Sequence, residues 1–122
     1  MLTSKVTFSA GEMCADVLQS SRRATIIGEK TDGGANAGAS YRINPHFEAF
    51  IPIGRMINPL TGTNWEGSEV TPDISVPQAQ SFNVAYKLAL QSVLTDLGEP
   101  NSEPLRDLAN EARVTLNSLG NP

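Results

Sequence analysis

Ser9 and Glu12, in the stretch TFSAGEM (Thr7 to Met13), stand three residues apart just ahead of an apolar-periodic segment. One reading of that spacing is a capping box: the Ser9 hydroxyl accepts from the N–H of residue 12, and the carboxylate reaches back to the N–H of residue 9. Such a cap contributes about 1 kcal/mol to a helix. The other reading is a serine placed to attack a carbonyl, and for that it needs a general base. Few side chains offer one. His46 is the single histidine, in a Pro45-His46 turn between two β-type segments. Lys30, in GEKT, reads as a solvated surface lysine. Cys14 is the single cysteine; it excludes an internal disulfide and reads as a small buried hydrophobe on the inner face of a helix. Cys14 and His46 are too few to build a zinc site, so neither a metal nor a cofactor is expected.

The bulk properties narrow the field. The 122 residues are one domain's worth of chain, 39% hydrophobic and 18% charged, as in an ordinary globular protein. The net charge is −4, and Arg22-Arg23 is the only basic pair, so nothing resembles a phosphate-tracking surface and nucleic acid is not an expected partner. No apolar run approaches the roughly 20 residues of a membrane helix, and no charged n-region followed by an apolar h-region opens the chain.

The elements that must position these residues follow from periodicity and punctuation. Leu2 to Val6 reads as the end of a strand. From Ser9 to about Ser20, Ala10, Met13, Cys14, Val17 and Leu18 recur at helical spacing. Arg23 to Gly28 (RATIIG) is a β-branched strand ending on glycine. Strand, helix and strand form a βαβ unit, hence a parallel pair with a right-handed crossover. Thr31 to Ser40 (TDGGANAGAS) is a loop whose Gly33-Gly34 permits positive φ, without the lysine or spacing of a P-loop. Tyr41 to Asn44 and Phe47 to Ile53 read as strands, Pro59 to Asn64 as a turn, and Asp73 after Pro72 as a side chain that fixes a turn. Two helices close the chain: about Ser81 to Leu97, and Ser102 to Leu119 with Pro104 in its first turn. Together they suggest a helical hairpin with one face to be covered by the sheet or by a partner.

The run LTSKVTFSAGEMCADVLQSSRRATIIGEKTDGGAN resembles the core of the tail-specific, or C-terminal processing, serine peptidases. The branch it is most similar to contains the tricorn-type peptidases and the interphotoreceptor retinoid-binding protein repeats. A second motif, IPIGRMINPLTGTNWEGSEVTPDISVP (Ile51 to Pro77), resembles that branch's segment ending in WEG-x-G-V-x-PD. The likeness runs in register from about Leu2 to Leu97, and two separated motifs in the same order make it specific. It implies an α/β chain with a partial ClpP/crotonase-like fold, 1–98 being part of a peptidase catalytic core and 99–122 an additional helix outside the family pattern. It also implies that Ser9 is the nucleophile, at a helix start where backbone N–H groups and the dipole favour an oxyanion. The Ala10 N–H is then one oxyanion donor.

Where one branch of the family carries a dyad lysine in a GKG triplet, this chain has Gly33-Gly34-Ala35, with Gly34 at the lysine position. The resemblance therefore points to the Ser-His-Glu arrangement. Glu66 of the WEG segment would orient a histidine, and the family's histidine lies upstream of Leu2. His46 does not match that position. Glu69 stands where the pattern has glycine, and Trp65 reads as a packing residue. The implied whole is a longer peptidase, of which this chain is a fragment, inactive by itself, acting on a peptide or protein substrate. Relatives exported in bacteria imply a periplasmic or extracellular parent, while the chain itself leaves its location unknown. A fragment with bare sheet edges is expected to self-associate as a homo-oligomer. The alternative within the same fold is a non-catalytic module that holds an apolar ligand.

Overall fold

Ile27–Gly28 (β2), the end of the β-branched run, pairs on both sides. Leu2–Thr3 (β1) and Ile74–Ser75 (β5) flank it in parallel, giving the order β1-β2-β5. This three-stranded sheet is seen in the computed structural model, which describes residues 1–120. The connection between the first two strands is α1 (Ala10–Ser20), so the expected βαβ unit is present. A second, antiparallel sheet is the hairpin of β3 (Gly38–Asn44) and β4 (Phe47–Pro52), with a register shift next to the turn. β3 therefore begins inside the stretch read as loop, where alternation is masked by glycine and alanine.

The chain forms two compact units, Met1–Gln78 and Ala79–Pro122. In the second, α2 (Gln78–Leu97) and α3 (Glu103–Ser118) are the expected helices; Ser102 sits at the α3 N-cap with proline in the first turn. Among the described residues, no helix is long and apolar enough to cross a membrane.

The core of the first unit gathers Ala15, Ile26, Ala35, Trp65 and Val70. Trp65 packs there, as expected, and its Nε1 donates to the Gly34 carbonyl at 3.2 Å. The orientation of α1 differs from the expectation. Its buried residues are Glu12 and Ala15, while Met13, Cys14 and Val17 are exposed. Cys14 is thus not the buried hydrophobe its spacing suggested. The inward side is polar because distant loops satisfy it: Asn58, itself buried, donates to Asp16 Oδ2 at 2.5 Å and Ser20 Oγ at 2.9 Å. Gln19 Nε2 donates to the Thr71 carbonyl and to Asp73 Oδ1. Hydrogen bonds, not an apolar stripe, hold this helix face.

Asp73 also departs from its local reading. Its carboxylate accepts from the Ile26 N–H at 2.7 Å and from Gln19 at 2.9 Å, tying β5 to β2 and α1. These bonds, the Ile26 one first, hold its carboxyl below the ordinary value of 3.8. Because the folded state titrates lower than the unfolded one, the stabilisation is complete above the ordinary value and is lost as pH falls through the folded pKa. Urea midpoints are therefore expected to be level near neutrality and to fall in acid, below about pH 4. Asp73→Asn should start from a lower midpoint and lose less on acidification; an unchanged acid limb would contradict this role.

Candidate active site

A strand, a tight turn and a helix meet at Ser9, and the backbone there is strained. Ser9 has φ 54° and ψ −115°, whereas an ordinary N-cap residue is extended. A serine held in this region costs on the order of 1–3 kcal/mol, a cost that clusters at functional positions. Sharp strand-to-helix turns that present catalytic serines carry strain of the same kind. Ser9 is exposed. Both halves of the capping box are present, although the hydroxyl accepts no cap hydrogen bond of full geometry. The carboxylate half is made: the Ser9 N–H donates to Glu12 Oε2 at 2.9 Å. The Ala10 N–H, first of the helix, donates to no group among the described residues.

Glu12 does far more than cap. It is fully buried, and its two oxygens accept four hydrogen bonds. Oε1 takes the Thr31 hydroxyl at 2.5 Å and the Gly33 N–H at 2.7 Å; Oε2 takes the N–H groups of Ser9 and Gly34, each at 2.9 Å. Thr31 Oγ1 in turn accepts from the Val70 N–H at 2.8 Å. Burial pushes the carboxyl up, but the bonds from Thr31, Gly33, Gly34 and Ser9 outweigh it and leave the pKa below 4.5. One carboxylate thus fixes the Ser9 amide and the Gly33-Gly34 loop to each other. The capping spacing pointed to the Ser9 bond alone; the other three partners lie 19 to 22 residues away.

Glu66 is brought to the same place. With Ser9 it lines a cleft of about 710 Å³, together with Phe8, Asp32, Phe50 and Pro52. Its Oε2 accepts from the Ala35 N–H at 2.7 Å and the Asn36 N–H at 2.8 Å. No donor among the described residues takes up Oε1. The carboxylate is exposed and anchored by one oxygen, leaving the other for a donor that enters the cleft.

The remaining candidates lie elsewhere. His46 is exposed at the turn of the hairpin, where its N–H donates to Asn44 Oδ1. Phe50 and Pro52 of the same hairpin line the cleft, but His46 is several strand residues further along, at ~3.4 Å each, and is not among the lining residues. Lys30 pairs with Glu69 at 3.4 Å on the surface, as a solvated lysine should. At Gly34 a Cβ would lie 2.0 Å from the Phe8 ring, so the space a dyad lysine would need is filled. Glu69, at a glycine position of the motif, has φ 63°, the left-handed conformation that glycine tolerates best.

Fold and site together define an α/β core that presents a strained, exposed serine at a helix N-terminus. The chain belongs to peptidase family S41, whose sequence model matches residues 1–76. It is similar to the solved structure of a photosystem II D1 C-terminal processing protease, with 25% sequence identity and a TM-score of 0.52. The match covers 63% of this chain and 20% of that one, so the chain spans about a fifth of that protein's length. Both findings agree with the resemblance read from the two motifs, and the chain is a portion of a serine-peptidase domain.

Proposed function

We propose that this chain supplies the nucleophile of a peptidase that hydrolyses peptide bonds through an acyl-enzyme on Ser9. The Ser9 hydroxyl attacks the scissile carbonyl. The carbonyl oxygen, as it gains charge, meets the Ala10 N–H and the positive end of α1. Glu66 Oε1 accepts from the imidazole of a histidine outside the described residues, holding it to take the serine proton and stabilising the imidazolium. The amine product leaves with that proton, and water then releases the acyl group by the reverse sequence.

The observation that carries this reading is the backbone of Ser9. A helix cap needs neither φ 54° nor an exposed position, whereas a nucleophile uses both. A module that only held an apolar ligand would have no use for them, and that alternative is not favoured. Intact mass after treatment with a fluorophosphonate tests the reading. With imidazole added as the base, one adduct per chain is expected, absent in Ser9→Ala. An adduct count unchanged by the substitution, or no adduct over a prolonged exposure, would count against it.

A further inference from the structure

The cleft beside Ser9 contains one charged side chain that the proposed reaction does not employ. Of the two cavities that border Ser9, only the larger, about 710 Å³, is lined by Glu66. The leaving amine takes its proton from the histidine that Glu66 orients, so the leaving side of the scissile bond lies on the Glu66 side of Ser9, in this cleft. Asp32 lines the same cleft and is exposed. Its N–H donates to the Thr7 carbonyl at 3.0 Å, which fixes the backbone. Its carboxylate accepts no hydrogen bond and joins no ion pair among the described residues, where Lys30 is taken by Glu69. Building on the peptidase reading above, we infer that this cleft selects a lysine or arginine side chain on the leaving side of the substrate, with Asp32 as the residue that reads its charge.

Two aromatic rings complete the case. Phe8 and Phe50 are 57% and 61% exposed, yet each ring is lodged against a glycine. A Cβ at Gly34 would lie 2.0 Å from the Phe8 ring, and one at Gly38 would lie 2.5 Å from the Phe50 ring. Pro52, two residues beyond Phe50 on β4, lines the cleft from the same hairpin face. No lysine, arginine or histidine lines it. Arg42, also on that hairpin face, stands opposite Glu48 in the ladder, so the pair adds no net charge. A long cationic side chain suits these walls. Its methylene stem lies on the rings, while its charge is drawn to their faces and to the Asp32 carboxylate. A glutamate side chain would instead meet the like charges of Asp32 and Glu66, and an aliphatic one would gain the rings alone.

The probes for the test are acetyl-Xaa-alanine amides with arginine, norleucine or glutamate as Xaa. The acetyl group stands for the acyl side and Xaa for the first leaving-side residue. Binding to the full chain is read from the amide resonances of Asp32, Gly33 and Asn36. It is read separately from the protection of Ser9 against a fluorophosphonate, with imidazole as the base. The arginine probe is expected to bind about tenfold more tightly than norleucine, the combined effect of one exposed ion pair and one cation–π contact. Glutamate should bind more weakly than either. Salt at about 0.5 M should narrow the gap, because the ion pair is screened. Asp32→Asn removes a carboxylate that makes no contact within the fold, and should cut the gap to about threefold or less. Equal binding of arginine and norleucine, or a gap indifferent to both salt and Asp32→Asn, would overturn the assignment while leaving Ser9 as nucleophile. If arginine is preferred but no adduct forms on Ser9, the cleft's selectivity stands and the catalytic reading fails; if neither is seen, both fall.

Discussion

Glu12→Gln is expected to lower the unfolding free energy by about 3 kcal/mol, although it changes one atom. The two carboxylate oxygens each accept two donors, Thr31 and Gly33 on one, Ser9 and Gly34 on the other. Turned one way, its NH₂ meets the Ser9 and Gly34 N–H donors; turned the other, the Thr31 hydroxyl can rotate to accept, but the Gly33 N–H is stranded. Each buried donor left unsatisfied costs about 1–3 kcal/mol. The loss should show as a reduced urea midpoint at unchanged slope, because the exposed area on unfolding is the same. It should also remove part of the acid limb, since a carboxyl held below its ordinary pKa no longer titrates. A loss under about 1 kcal/mol would mean that the carboxylate network does not hold the loop. Glu12 is a positioning residue: the substitution should also slow phosphonylation of Ser9 by loosening the turn that strains it.

Gly28→Ala is expected to be at least as damaging, for a steric reason. Gly28 has φ 138°, and a Cβ there would sit 2.0 Å from the Thr3 carbonyl oxygen, on the strand it pairs with. Backbone of a paired strand cannot step aside as a side-chain tip can. Relief requires β1 to separate from β2, losing the Ile27 N–H to Met1 and Glu29 N–H to Thr3 hydrogen bonds. The left-handed φ alone costs on the order of 1–3 kcal/mol for a residue with a side chain. The expected result is a chain that is largely unfolded or aggregated at 25 °C, read by far-UV circular dichroism and gel filtration. A soluble variant with the wild-type melting curve would contradict the strand register.

The parts of this fold that periodicity could announce were legible. The βαβ unit, the hairpin strands and the two C-terminal helices all carry β-branched runs, helical stripes, prolines and glycines that mark their limits. The inward face of α1 was not, because Glu12, Asp16 and Gln19 are buried or half-buried through partners in loops, such as Thr31, Asn58 and Asp73. Hydrophobic spacing cannot report a face held by hydrogen bonds, and so it turned Cys14 inward. Asp73 was misread for the same reason: its partner Ile26 is 47 residues away. At the site, the motifs singled out Ser9 and Glu66, and both line one cleft. The strain at Ser9 and the four-fold role of Glu12 were invisible, since one is a backbone angle and the other a sum of long-range contacts. Glu69 shows the converse: its departure from the motif's glycine marked a backbone position that has positive φ.

On the proposed reading Ser9 is a nucleophile that needs a base, with Glu66 placed to orient one. Imidazole can stand in for that base. The rate of Ser9 phosphonylation should be measured against imidazole concentration at neutral pH, by intact mass, for wild type, Ser9→Ala and Glu66→Gln. The account predicts a rate that rises with imidazole in the wild type, no adduct in Ser9→Ala, and a response to imidazole cut about tenfold or more in Glu66→Gln, the loss typical of a misplaced general base. A rate indifferent to imidazole, or a response that survives Glu66→Gln unchanged, would contradict it.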